Sequence, residues 1–441
     1  MPDRTDTPTA ARERRSGEAS PNRPARGKRP IDRAEWRTLS LLAVPSLVLA
    51  LATTVVTTYL PVHLRAARTS TLIIGLLIGT EGLMAIAVPM VAGPWSDRLR
   101  TRMGGRLPFV AAAILPLASS LIVLGLVGRL WITAAVLVVF FGAYFAAYEP
   151  YRALYPDLVD QAIAGRAQST QALARGLGTF LALVGGGLLI AVADPVPFAT
   201  ASLLCTVGLG GFVVVAMRRR PADRGSSPVG GVRRQAAHVW QIACERRQLR
   251  LFLAANALWE LSLGALKTFI VLYLTAGLGK RLSTASLIIG GVALLLLVAS
   301  PISGTLGDRY GPPRVLTWAL VAYGVGLLVP LLSTSAAVVA AATPVIAIGG
   351  GVVMTLPYAV LTPLMPDDEH GTLTGFYSVS RGIGTALGPL LAGAAIDLTS
   401  GLFDATQGYQ ATWGICSAAI LLSLLPLSAL RRTADDDPGP T

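Results

Sequence analysis

Twelve apolar runs dominate this chain, and each is about 20 residues or longer, enough to cross the hydrocarbon core of a bilayer as a helix. They fall at about 38–60, 71–92, 109–128, 131–155, 169–192, 197–217, 250–275, 284–303, 314–333, 337–365, 372–398 and 410–430. In lipid such a run must be helical, because no water is present to pair with an open backbone. The composition agrees: 53% of the 441 residues are hydrophobic, only 14% are charged, and the mean hydropathy is +0.60. The expected fold class is therefore all-α, a polytopic membrane protein.

The chain also repeats itself about 210 residues on. Gly93–Arg98 "GPWSDR" returns as Gly304–Arg309 "GTLGDR", and "TTYLPVHL" from Thr57 returns as "KTFIVLYL" from Lys267. "PYRAL" from Pro150 returns as "PYAVL" from Pro357, and "ARGLGT" from Ala174 as "SRGIGT" from Ser380. Four matches in order imply a tandem duplication, hence two pseudo-symmetric six-helix bundles. The interface between such repeats is where secondary transporters bind their solutes. The expected organisation is a disordered basic tail (1–37), a first bundle (38–217), a linker (218–249), a second bundle (250–430) and a short tail (431–441).

The net charge is +13. In a soluble chain that would suggest nucleic acid, but here the positions matter more. With the first tail placed inside, 28 of the 37 Lys and Arg fall in inner segments and five in outer ones. This asymmetry predicts both termini in the cytoplasm of a multi-pass plasma-membrane protein, with no nucleic-acid partner. The remaining four, Arg152, Arg175, Lys267 and Arg381, lie within the apolar runs. Cys205, Cys244 and Cys416 read as small buried residues without disulfide or metal spacing. His63, His238 and His370 have no metal-ligand spacing, and there is no phosphate-binding loop for ATP. Neither a metal nor a cofactor is expected, and a monomer is.

Charges inside a membrane are costly and mark function or pairing. Glu81 lies near the middle of the second run and Glu260 equally deep in the seventh. Asn256 and Lys267 share a face with Glu260. Glu260 and Lys267 are seven residues apart, roughly 10 Å along the axis, so they bracket a solute or meet partners on other helices. The functional reading has Glu260 or Glu81 exchanging a proton while Lys267 or Asn256 binds solute; the structural reading has each fixed in an interhelical pair. Glu149 and Arg152, three apart, can pair. They lie with Asp157 near the cytoplasmic end of the fourth run, and the repeat partners Arg175 and Arg381 are placed near the cytoplasmic ends of the fifth and eleventh, as gate or architecture. Tyr144, Tyr148, Trp259 and Tyr358 are aromatic candidates for a cavity wall.

The duplicated motif residues Gly93, Asp97, Arg98 and Arg106, with Gly304, Asp308, Arg309 and Arg314, suggest paired cytoplasmic gates. Glycine allows a tight turn, and the carboxylate can cap a helix N-terminus or pair with arginine. This arrangement, over all twelve runs, resembles the major facilitator superfamily. The resemblance implies helices 1, 4, 7 and 10 around a central cavity, 2, 5, 8 and 11 flanking it, and 3, 6, 9 and 12 facing lipid. "GGRLPF" (104–109) and "PYRALYPDL" (150–158), with Arg152, are similar to the glycoside–cation symporter and sucrose-transporter branch. Two departures stand out. Phe141 occupies the position where plant members of that branch carry an Asp, thought to be the proton carrier. The fifth run has Gly185–Gly187 but no Gly-Pro element of the antiporter kind, whereas Gly388–Pro389 stands in the eleventh. The expected function is a proton- or cation-coupled secondary transporter of a small organic solute working by alternating access, with sugar or glycoside uptake first. Export of drugs or secondary metabolites is the alternative, and a non-transporting membrane enzyme or sensor the third reading. No enzymatic site is expected.

Overall fold

The computed structural model describes residues 32–99, 101, 103, 105–154, 164–219, 246–361 and 370–436. Asp157 and linker residues 220–245 lie outside them. Side chains of Asp97, Arg98 and Tyr358 are likewise outside the description, although their backbone is helical.

Twelve helices cross the membrane by length and composition. They are α1 (Arg33–Ala66), α2 (Thr71–Arg98), α3 (Leu107–Leu126), α4 (Leu130–Ala153), α5 (Ala164–Ile190) and α6 (Val196–Arg219). The second set is α7 (Arg247–Leu272, continued by a π-turn to Gly277), α8 (Leu282–Tyr310), α9 (Pro312–Leu332), α10 (Ala336–Thr355), α11 (His370–Leu398) and α12 (Ala411–Leu422, resumed over Leu424–Asp436). Among the described residues there is no strand. The large apolar side chains left exposed, such as Leu115, Trp131, Leu203, Trp318 and Val325, present the surface expected of a protein whose solvent is lipid.

Several helix ends differ from the hydropathy reading, each for a local reason. α1 starts inside the expected disordered tail, because Asp32 and Glu35 form a reciprocal capping box around its first turn. The tenth run does not continue to 365. α10 ends at Thr355, and Pro357 starts a separate short turn, Pro357–Leu361, since proline lacks the N–H and restrains the residue before it. α12 continues through the expected C-terminal tail to Asp436. The Asp-Arg pairs of the repeated motif are the last turns of α2 and α8 rather than loop residues. After α8 a single glycine, Gly311 at φ 86°, turns the chain directly into α9, whose first residue is Pro312.

The duplication is exact enough to be seen in the packing. On α5, a Cβ at Gly178 would stand 2.2 Å from the carbonyl oxygen of Leu47 on α1. On α11, a Cβ at Gly384 would stand 2.3 Å from the carbonyl oxygen of Ala257 on α7. These positions are related by the sequence repeat, and each lets two helix backbones meet where any side chain would separate them.

The two bundles are joined along one half of the membrane. We name as inner the side carrying the motif turns, and as outer the opposite side. On one flank Gly75, Gly79 and Gly82 of α2 face Pro389, Ala386 and Gly382 of α11 in antiparallel register. On the other, Gly187 of α5 and Tyr59 of α1 meet Ser286 at the outer start of α8, with a Tyr59–Ser286 hydroxyl hydrogen bond of 3.0 Å. Tyr59 also donates to the carbonyl of Leu183. On the inner side, among the described residues, α4 and α10, which belong to different bundles, share no substantial packing. The described residues are therefore closed on the outer side and open on the inner one.

Candidate functional site

The opening leads to a belt of charges at mid-membrane depth. Lys267 of α7 reaches across the bundle boundary to Glu81 of α2, with Nζ 3.3 Å from both carboxylate oxygens. Glu260, seven residues before Lys267 on the same face of α7, pairs instead with Arg381 of α11, Nε to Oε1 3.5 Å. The two acidic side chains are the better covered ones, 12% and 20% exposed, against 34% for Lys267 and 52% for Arg381. An arginine half open to solvent in the interior of a membrane bundle means that the space beside it is aqueous.

Lys267 and Glu260 thus do not bind each other, as the spacing predicts. In this conformation each is held by a helix from elsewhere in the chain. Asn256, one turn before Glu260, is buried and donates from Nδ2 to Ser380 Oγ at 2.8 Å. It clasps α7 to α11 directly beside Arg381 rather than pointing into open space. Trp259 is likewise buried and donates to Ser423 Oγ at 2.7 Å, so it packs the second bundle and does not line the cavity.

The first bundle contributes a mostly buried aromatic cluster behind its arginines. Tyr144 and Tyr148, one turn apart on α4, stack at 5.5 Å between centroids and 12° between planes. Arg175 of α5 donates to the Tyr148 hydroxyl at 3.2 Å. The guanidinium of Arg152 lies 5.6 Å from the Tyr148 ring centre and 4.0 Å from Glu149. Arg175 and Arg381 were expected near helix ends. α5 and α11 start at Ala164 and His370, so both arginines lie about three turns in. Arg381 meets Glu260 halfway along α7. They belong to the cavity wall.

Among the described motif residues, those of the second copy make no clamp in this state. Asp308 is exposed and forms no ion pair among the described residues, and the start of α9 has no side-chain cap. Arg309 lies over the ring of its neighbour Tyr310 at 5.2 Å, and Arg314 is exposed. Gly93 and Gly304 have open space where a Cβ would be. Arg106 ties elements together, donating to the carbonyl of Ala153 at the end of α4.

One functional contact escaped sequence reasoning. Asp397, at the outer end of α11, receives three hydrogen bonds from the first turn of α2: Thr71 N at 3.2 Å, Thr71 Oγ1 at 2.6 Å and Leu72 N at 2.9 Å. Thr71 Oγ1 also reaches the carbonyl of Gly393. A carboxylate from the second bundle therefore caps a helix of the first, satisfying N–H groups that have no intrahelical partner and meeting the positive end of the helix dipole. The latch borders an outer recess of about 490 Å³, lined also by Arg65, Asp404 and Gln407. The only hint in the sequence was an acid in the last turn of an apolar run.

The geometry can be set beside known proteins. The chain is 24% identical over 348 residues to multidrug resistance protein MdtG of Salmonella arizonae, covering 76% of this chain and 80% of that one. It is 23% identical over 362 residues to the protein of the same name from Escherichia fergusonii, covering 78% and 81%. Among solved structures, a bacterial homologue of the human lysosomal transporter Spinster, inward-facing and unoccupied, superposes with a TM-score of 0.77 at 14% identity, over 93% of this chain and 100% of that one. The nucleoside transporter NupG superposes at 0.72 and 15% identity, over 89% and 98%. The sequence profile of the Major Facilitator Superfamily matches residues 42–279 and 260–441. Two repeated bundles, closed on one side around a charged aqueous cavity, are thus explained by descent: this chain is an integral membrane protein of the Major Facilitator Superfamily.

Proposed function

We propose that this protein exports small organic compounds from the cytoplasm, exchanging them for protons by alternating access. The observation that carries the reading is the pair of intramembrane acids, Glu81 and Glu260, each neutralised by a cation on another helix at the floor of an inward-open cavity. A proton on either carboxylate removes its attraction for Lys267 or Arg381. For Glu81 that releases a contact between the bundles, which is what alternation requires. Glu260 holds α11 against α7, and α11 is the helix that closes the outer side on α2, so its state reaches the same interface. The basic-loop side is taken as cytoplasmic from the distribution of Lys and Arg.

Export is preferred because the relatives are named for multidrug resistance. Glycoside uptake keeps the support of the loop around Arg106 and of the Arg152 segment, but Phe141 offers no carboxyl for that branch's proton step. One experiment separates them. In inside-out membrane vesicles with an imposed inward-acid gradient, an exporter accumulates a fluorescent or radiolabelled compound from a broad solute panel and loses it when an ionophore collapses the gradient. Accumulation of a glycoside in intact cells, with no accumulation of any compound in inverted vesicles, would reverse the direction proposed.

A further inference from the structure

We infer that the cavity carries a binding site for an organic monoanion, with Arg175 as the residue that receives the negative group. This rests on the transport reading above and names the solute class.

The argument comes from the duplication. Gly178 packs on the Leu47 carbonyl as Gly384 packs on the Ala257 carbonyl. Three residues before each glycine stands an arginine, Arg175 and Arg381. Three residues after each carbonyl stands the position that faces it: Glu260 in the second bundle, Ala50 in the first. In the second bundle the arginine has its acid at 3.5 Å. In the first, the equivalent position is a buried methyl group, 5% exposed. The repeat has kept the cation and lost its counter-ion.

The remaining charges do not make up the difference. Of the four basic side chains within the apolar runs, Lys267 is paired with Glu81, Arg381 with Glu260 and Arg152 with Glu149. Arg175 forms no ion pair among the described residues. It is exposed to the cavity and bonds only a neutral hydroxyl, that of Tyr148. An uncompensated guanidinium at this depth is costly unless something anionic meets it, and its planar fork suits a carboxylate or phosphonate. One excess charge calls for one negative charge on the solute.

The test is direct binding to the full-length protein in nanodiscs, by calorimetry, using three probes of one skeleton: 2-naphthoate, 2-naphthamide and 2-naphthylmethylammonium. The expected result is preference for the carboxylate by tenfold or more over both others. Arg175→Gln removes that preference, while Arg175→Lys retains part of it. Ala50→Glu restores the missing acid and abolishes carboxylate binding with Arg175 still present. Lys280→Gln, an exposed cation in the outer turn after α7, leaves the preference in place. Equal binding of all three probes, preference for the ammonium, no binding of 2-naphthoate, or an unchanged preference in a folded Arg175→Gln protein would overturn the assignment. Binding is read without a gradient, so a carboxylate that binds but is never moved outward refutes export and leaves this site standing. Export of cations alone does the opposite.

Discussion

The outer latch gives the sharpest perturbation. Replacing Asp397 by Ala removes three hydrogen bonds to the first turn of α2 and leaves the helices otherwise intact. At a net contribution of about 0.5–1.5 kcal/mol per hydrogen bond, three would total about 3 kcal/mol. The carboxylate is solvent-exposed, and water replaces part of what is lost, so about 1.5 kcal/mol is the working figure. That contact exists only while the outer side is closed, so its loss shifts the conformational equilibrium toward outward-open by roughly tenfold. Asp397→Asn keeps one acceptor oxygen and should shift it less. Spin labels at the exposed outer positions Arg68 and Ser400 report the separation of the bundles by electron–electron resonance. The long-distance population should rise in the order wild type, Asn, Ala. An unchanged distance distribution in Asp397→Ala, with the protein folded, would show that the cap follows closure without contributing to it.

Four further outcomes are expected. Glu260→Gln should abolish gradient-driven accumulation in proteoliposomes while sparing solute exchange, and normal accumulation against a gradient would remove Glu260 from the coupling step. Glu81→Gln strands Lys267 at the bundle boundary and should lower thermal stability in detergent by about 1–3 kcal/mol, below the cost for a fully buried pair; the exchange Glu81→Lys with Lys267→Glu should recover most of it. Gly178→Leu and Gly384→Leu drive a side chain into the backbone of α1 or α7 and should each cost at least about 1–3 kcal/mol, read as reduced yield of folded protein. Asp97→Asn and Asp308→Asn should slow transport while changing melting by no more than about 0.5 kcal/mol, because the gate role proposed for them belongs to the outward-open state.

Much of the architecture was legible in the residues. Run length alone separates spanning helices from the loops, since lipid leaves the backbone no other partner. The repeat carries the two-bundle plan, and it located Arg175 and Arg381 as equivalents before any coordinates. Depth was less well read. Both arginines seemed close to helix ends because polar residues such as Gln171 and Ser380 dilute the apolar signal there, yet Gln171 bonds Tyr151 of α4 and Ser380 accepts from Asn256 of α7, so these turns are packed within the bundles. The ends of α1 and α12 were missed for the same reason.

Pairing was beyond the sequence. Spacing on α7 shows that Glu260 and Lys267 cannot join, but their partners, Arg381 and Glu81, are about 120 and 190 positions away. Which of several intramembrane charges meet depends on how α2 and α11 lie across α7, and that is set by contacts such as Gly82 on Gly382. Asp397 looked like an ordinary helix-end acid until α2 was seen to begin beneath it. Hydropathy and repetition act along the chain and can be read from it. The counter-ion of a buried charge is chosen by three-dimensional proximity in a medium of low polarity, and only the packed bundles decide which side chains are brought within reach.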